Sequence, residues 1–355
     1  MKKIKVAIIG CGTIGKSAHG PSYGRHPNVE IAYCVDIIPE RAKALAAANG
    51  DQNTKAVTDY RDVIADPAVT CVSVCVPNYL HAPMTIDLLN AGKNVLCEKP
   101  AAMNYAEAVS MKKAADRNKL ILNIGVVNRF NTAVNKVKQL IETGALGEVY
   151  HVYCSFRSYR SIPGLGGPFT TKKLAGGGVL IDWGVHFLDL VNYCIGGPAM
   201  RSATASAYNK LGRNLQEYLF TNMWAGPPDY TGKCDVEEFI TGMIRTKGPT
   251  ITINGAWAQN IDENCMFIEF LGDKGGIKLE YGSKFTFYST SNGMLTKTTP
   301  AFNMEDMFYA EIDAFVKSAV KKKKIRSNID HVLITAQMMD ALYKSAEQGR
   351  EIAAK

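Results

Sequence analysis

An apolar run, Ile4-Lys5-Val6-Ala7-Ile8-Ile9, leads straight into Gly10-Cys11-Gly12-Thr13-Ile14-Gly15, and a second run, Val29 to Val35, ends on Asp36. Glycines fall into a G-x-G-x-x-G spacing by chance, so the motif alone says little. Here a strand-like run precedes it and a helix-compatible stretch follows. An acid also sits about 20 residues past the last glycine, which is the context a dinucleotide fingerprint requires. Gly10 permits the tight turn, Gly12 lets backbone approach a pyrophosphate, and Gly15 lets the helix pack on the strand. The free N–H groups at the helix start, around Thr13 and Ile14, then face the phosphates. Asp36, followed by Ile37, is placed to accept hydrogen bonds from both ribose hydroxyls, which favours NAD. A 2′-phosphate beside that carboxylate would be repelled. Arg41, five residues on, leaves NADP disfavoured rather than excluded.

At 355 residues the chain suggests two domains, on a prior of roughly 150 residues each. Its apolar fraction of 46% supports substantial cores. No apolar run reads as a bilayer span. The basic start, Met1-Lys2-Lys3, is followed by an apolar run that is short and passes directly into the glycine motif, which argues against a signal peptide. The net charge of +8 is scattered, apart from Lys321-Lys322-Lys323-Lys324 and Arg326. That run suits a helix C-terminus, where cations meet the negative end of the dipole. A nucleic-acid patch is the sharper reading of the run, but no aromatic-rich recognition surface accompanies it. Nine cysteines at irregular spacing, without C-x-x-C, read as small buried thiols of a reducing cytoplasm. No Cys/His cluster has metal-ligand spacing. The expectations are a cytoplasmic protein with no metal, membrane or nucleic-acid partner.

Strand and helix patterns alternate to residue 126. Helices are expected over Pro39–Ala48, Asp59–Ala65, Pro83–Ala91 and Tyr105–Asn118, with strands over Val69–Val76, Asn94–Cys97 and Leu120–Val127. This is the pattern of parallel βαβ units in a doubly wound sheet. After an amphipathic helix, Thr132–Glu142, come long runs, many of them alternating: Glu148–Phe156, Arg201–Tyr208, Glu237–Arg245, Thr250–Trp257, Met266–Leu271, Gly276–Glu280 and Lys284–Tyr288. A helix over Asp182–Cys194 interrupts them, and helices over Asp306–Val320 and Ile329–Ala346 close the chain. The fold class is therefore α/β plus α+β. A Rossmann domain over 1–126 precedes a domain over 127–355 with an open, mainly antiparallel sheet, and the terminal helices are free to pack back on the first domain. The open face needs a cover, which points to association of two such faces.

Two places carry candidate chemistry. Glu98-Lys99-Pro100 follows an apolar strand, and strand carboxyl ends face the ligand crevice in open α/β sheets. Lys99 beside a positive nicotinamide would have a lowered pKa and would suit contact with a substrate hydroxyl. The same pair also suits a solvated ion pair at a strand end. In Gly176-Gly177-Gly178-Val179-Leu180-Ile181-Asp182-Trp183-Gly184-Val185-His186, Asp182 and His186 share a helix face. A carboxylate can orient an imidazole and stabilise its protonated form, which makes His186 a candidate base. Read alone, the pair favours an ordinary i,i+4 polar contact over a dyad, and Asp189 lies one turn further on. The three glycines leave room for a ligand or the other domain. Asn78, in Pro77-Asn78-Tyr79-Leu80-His81, suits either a helix cap or a cofactor contact.

Taken together, Gly10–Gly15, Pro77-Asn78-x-x-His81, Glu98-Lys99-Pro100 and Asp182-x-Gly184-x-His186 resemble the Gfo/Idh/MocA family (glucose–fructose oxidoreductase, inositol dehydrogenase, rhizopine catabolism) along essentially the whole chain. The resemblance implies that Lys99, Asp182 and His186 form the catalytic set around the nicotinamide. It also implies that the C-terminal sheet mediates dimers or tetramers. Asn128-Arg129-Phe130 resembles the family's substrate-side segment, placing Asn128 at the cofactor and Arg129 at the substrate. Pro77, Asn78, His81 and Glu98 are implied on the cofactor side. Arg157-Ser158-Tyr159-Arg160 is similar to a loop of a sugar-handling subset, so Arg157, Tyr159 and Trp183 join the substrate candidates. The implied activity is NAD-dependent oxidation of a secondary alcohol in a sugar, cyclic polyol or glycoside. The rivals are a retained-NAD enzyme that oxidises sugar C3 transiently to cleave a glycoside, an NADP-dependent keto-sugar reductase, and a non-catalytic sugar- or nucleotide-sensing regulator. The regulator would be marked by loss of the catalytic set, which is present here.

Overall fold

Two sheets organise the chain in a computed structural model that describes residues 3–282 and 284–354. Met1 and Lys2 of the basic start lie outside the described residues. The first sheet contains β1 (Ile4–Ile9), β2 (Val29–Val35), β3 (Lys55–Val57), β4 (Val69–Val74), β5 (Asn94–Glu98) and β6 (Leu122–Gly125). They run parallel in the order β3-β2-β1-β4-β5-β6. Val6, Ala7 and Ile8 are fully buried. A parallel strand is covered on both faces, which is why β1 reads as a nearly continuous apolar run. The chain order reverses between β1 and β4, the switch point at which such sheets bind ligands beyond the strand carboxyl ends.

This sheet belongs to a compact unit formed by the residues up to Phe130 together with Glu305–Leu333. The contiguous blocks 1–126 and 127–355 differ from that division because the helix Met307–Lys321 joins the first unit. Its Ile312, Phe315 and Val316 pack in one apolar cluster with Val6, Ile8 and Leu96. Asp306 caps this helix, its carboxylate accepting the N–H of Phe308 and of Tyr309 at 3.1 Å each. The helix ends at Lys321 with Lys322 left-handed (φ 51°), so the lysine run does mark a helix C-terminus.

The second unit is Asn131–Met304 with the residues from Ile334 onward. Among the described residues its sheet contains β7 (Val149–Arg157), β8 (Met200–Tyr208), β9 (Phe239–Thr246), β10 (Thr250–Ala256), β11 (Cys265–Gly272), β12 (Gly275–Glu280), β13 (Lys284–Ser291), β14 (Met294–Thr298) and β15 (Ile352–Ala353). The order is β14-β13-β12-β11-β7-β10-β9-β8-β15. All neighbours are antiparallel except β7 and β10. Val152, Cys154 and Phe156 of β7 face a core shared with Val134 and Val137 of the helix Thr132–Glu142 and with Phe187, Leu188 and Val191 of the helix Val185–Cys194. The pleat turns Tyr153, Ser155 and Arg157 to the opposite face. The stretch Lys172–Cys194 is long and apolar enough, by length and composition, to cross a membrane, although no apolar run reads that way in the sequence. Most of it is buried inside this unit, which accounts for its apolarity.

Candidate functional site

The carboxyl ends of the parallel strands gather most of the expected cofactor residues. After β1, a Cβ on Gly10 (φ 92°) would collide with the Cys75 carbonyl, and one on Gly15 with the Gly10 carbonyl. These two glycines are therefore demanded by the fold itself. Gly12 is different: a Cβ there would meet nothing within 4 Å. Its bare backbone borders open space, which is what a pyrophosphate needs. The helix starts at Thr13-Ile14 and runs into a π-type segment, Gly15–His19, with the Lys16 N–H donating to the Gly12 carbonyl at 2.9 Å. Asp36, at the end of β2, is buried. Its Oδ2 accepts the Cys11 N–H at 2.8 Å and its Oδ1 accepts the Ile38 N–H at 2.9 Å. Each oxygen keeps a second lone pair, enough for a ribose diol. The residues present thus fit NAD. Ile37 is almost fully exposed beside the carboxylate, and Arg41 is exposed on the helix Pro39–Asn49.

Asn78 opens a single 3-10 turn, Asn78–Leu80, after β4; the cap position of the following helix is Leu80, so Asn78 is not its side-chain cap. Asn128 is buried in a similar turn, Val127–Phe130, after β6. His81 has a different task from cofactor contact. Its Nδ1 lies 2.6 Å from the Pro100 carbonyl and its Nε2 2.8 Å from the Val76 carbonyl, tying the loops after β4 and β5 together. Burial lowers its pKa, against the pull of those two carbonyls. Glu98 ends β5 in a buried chain that sequence reasoning missed. His19 Nε2 lies 2.8 Å from Glu98 Oε1, His19 Nδ1 is 3.0 Å from Ser73 Oγ, and the Tyr23 hydroxyl is 2.8 Å from the same Ser73 oxygen. Burial would lift the Glu98 carboxyl. The His19 ring, the Lys99 charge and the Lys99 N–H outweigh it and hold the carboxyl below the usual range. Lys99 follows, half-buried, before a cis bond to Pro100.

In the second unit, Asp182 lies in a π-type segment, Leu180–Gly184, that continues into the helix Val185–Cys194. π-bulges recur at functional positions because they re-aim side chains. Asp182 is buried, and its Oδ2 accepts the indole N–H of the fully buried Trp257 at 3.2 Å. His186 is half-buried and meets Tyr281 edge-on, centroids 6.5 Å apart. An oriented carboxylate thus precedes an imidazole by one turn. Two of the three glycines before it make room for neighbours in the same chain. A Cβ on Gly177 would collide with the Tyr343 hydroxyl, and one on Gly178 with the Glu237 carbonyl, so the close approach comes from the same unit. Burial lifts the Glu237 carboxyl, partly offset by the Tyr343 hydroxyl and the Leu180 and Gly178 N–H groups.

Two substrate candidates are engaged elsewhere. The buried Arg129 guanidinium donates to the carbonyls of Arg326 and His331, which makes it a structural tie. Arg157 points away from the face on which Phe156 meets Phe187, and it lines a pocket of about 390 Å³ with Tyr208, Lys210, Glu238 and Phe239. Tyr159 is 40% exposed, with Arg160 5.7 Å from its ring centroid, and Trp183 is half-buried beside Asp182. No cluster of potential metal ligands occurs among the described residues.

A parallel sheet in this strand order, with an open glycine turn after β1 and a buried carboxylate at the end of β2, has the form of a dinucleotide-binding oxidoreductase. Residues 4–126 match the oxidoreductase family with NAD-binding Rossmann fold, and residues 134–278 match the GFO/IDH/MocA C-terminal domain. The chain belongs to the Gfo/Idh/MocA family. It is 30% identical to a D-glucoside 3-dehydrogenase of Escherichia coli strain K12 over 98% of this chain and 97% of that protein. It is 28% identical to a levoglucosan dehydrogenase of Pseudarthrobacter phenanthrenivorans over 79% of this chain and 74% of that one. A levoglucosan dehydrogenase solved with NADH and levoglucosan shares the fold, with a TM-score of 0.82 at 22% identity over 99% of each chain.

Proposed function

We propose that this protein is an NAD-dependent dehydrogenase of a secondary alcohol in a sugar, cyclic polyol or glycoside. The observation that carries the reading is Asp182, fixed by the Trp257 indole one turn before His186, in a chain whose dinucleotide unit ends β5 on Glu98-Lys99. NAD, when bound, accepts hydride at nicotinamide C4. His186 takes the hydroxyl proton, while Asp182 orients the ring and stabilises its protonated form. Lys99 hydrogen-bonds the same oxygen as it becomes a carbonyl. The full-length similarity to a D-glucoside 3-dehydrogenase favours C3 of a glucoside within this range.

The test is NAD and NADP reduction across inositols, aldoses, ketoses and their glycosides, with the oxidised carbon identified by NMR. A glucoside giving a 3-keto product with stoichiometric NADH supports the proposal. Glycoside cleavage without net NADH would replace it with the retained-NAD reading, and preferred reduction of a keto-sugar by NADPH with the reductase reading. In Lys99→Ala, kcat should fall by about 10²–10⁴-fold with NAD affinity nearly unchanged; equal turnover would remove the lysine from the mechanism.

The same proposal places the protein in a reducing cytoplasm, as a dimer or tetramer joined through the Tyr153 face of the second sheet. All nine cysteines are free, and burial pushes the Cys71 and Cys97 thiols up to about 12. A monomer in sedimentation at micromolar concentration would overturn the assembly.

A further inference from the structure

The helix that carries Asp182 and His186 starts in an unusual way. Four consecutive amides at its beginning find their acceptors on two residues that the proposed mechanism does not use. The Gly178 N–H donates to Glu237 Oε2 at 2.9 Å, and the Leu180 N–H to Glu237 Oε1 at 3.1 Å. The Val179 N–H donates to the Glu237 backbone carbonyl at 3.1 Å, and the Ile181 N–H to the Tyr343 hydroxyl at 3.1 Å. The Tyr343 hydroxyl in turn donates to Glu237 Oε1 at 2.8 Å. A helix start leaves four such donors, and a single capping side chain ordinarily answers one of them. Here one carboxylate, its own carbonyl and one phenol answer all four, ending at the residue before Asp182. The next peptide group repeats the theme, because the Trp257 N–H donates to the Glu238 carbonyl at 2.8 Å while the Trp257 indole holds Asp182. The dipeptide Glu237-Glu238 therefore grips both the backbone leading into Asp182 and the residue that binds its carboxylate.

We propose that Glu237 and Tyr343 are positioning residues: they clamp the start of this helix and so set the direction of the Asp182 carboxylate toward His186. The inference rests on the roles given to Asp182 and His186 above. The carboxylate also places negative charge at a helix N-terminus, where the dipole favours it. The bare Gly177 and Gly178 are what lets the clamp close.

Two substitutions in the full-length protein test this, Tyr343→Phe and Glu237→Gln. The first readout needs no substrate. Trp257 is one of three tryptophans, and its indole N–H resonance is assigned by its loss in Trp257→Phe. Loosening the clamp should shift that resonance and speed its solvent exchange about tenfold or more, leaving Trp224, which packs against Phe169, unmoved. The second readout uses NAD with methyl β-D-glucopyranoside. The kcat should fall about tenfold in each variant, with KM and NAD affinity within about threefold, because misorientation acts on the chemical step. The double variant should lose little more than either single one, as residues of one unit do. Tyr343→Phe removes a buried hydroxyl; should it fail to fold, Glu237→Gln, of equal length, carries the test alone. A lowered melting temperature with the Trp257 signal unchanged would overturn the clamp. So would unchanged turnover in a protein whose Asp182→Asn form is inactive. If Asp182→Asn itself keeps full turnover, the catalytic reading fails instead, whatever the indole reports.

Discussion

Two glycine-rich turns open helices in this chain, and the missing side chains serve different neighbours. At Gly12 the space beside the backbone is open, one residue from the Cys11 N–H that donates to the Asp36 carboxylate. At Gly177 the corresponding space is filled by Tyr343, with Glu237 beside it at Gly178. A run of glycines announces a close approach without saying what approaches. Only the fold distinguishes a turn that receives a ligand from one that receives its own chain.

The two turns should differ most at Gly177. Gly177→Ala should destabilise the protein by about 1–3 kcal/mol through overpacking against the phenol, with NAD affinity unchanged; a neutral melting curve would mean the turn is looser than it looks. Gly12→Ala should do the reverse. The melting temperature should hold while NAD dissociation rises about tenfold, about 1.4 kcal/mol by titration. Asp36→Ala sharpens the ligand-facing side, narrowing the preference for NAD over NADP several-fold, with no such change in Tyr343→Phe. The smallest expected effect is a pH dependence near the first turn. Because burial lowers His81, the unfolded chain binds that proton more tightly. The contribution is therefore complete above about pH 6.5 and is lost as pH falls through that value toward the lower folded one. Denaturant melts of the protein and His81→Gln across pH 7 to 5 should converge as the pH falls.

Most of the parallel sheet was legible because β1, β2, β4, β5 and β6 are largely buried and read as apolar runs bounded by turn residues. The strands β3, β14 and β15 were not, being short or polar and defined by what they pair with. Single motifs marked Lys99, Asp182 and His186 as candidates. Trp257, Glu237 and Tyr343 were invisible because their relation to Asp182 spans 55 to 161 residues of sequence and follows no period. Arg129 and Arg157 show the converse. A guanidinium near a loop invites a ligand contact, yet carbonyls of Arg326 and His331 take up the one, and strand alternation turns the other to the far face.

Strand β7 sits at the centre of its sheet, between β10 and β11, yet both partners lie about a hundred residues later in the chain. A ribosome adding roughly 5–20 residues per second leaves it waiting for several seconds with two bare hydrogen-bonding edges. Such high contact order makes assembly slow and the nascent chain prone to mispairing. Ribosome-bound chains halted before Thr250 should therefore be protease-sensitive at β7, and protection there should appear only in chains extended past Gly272.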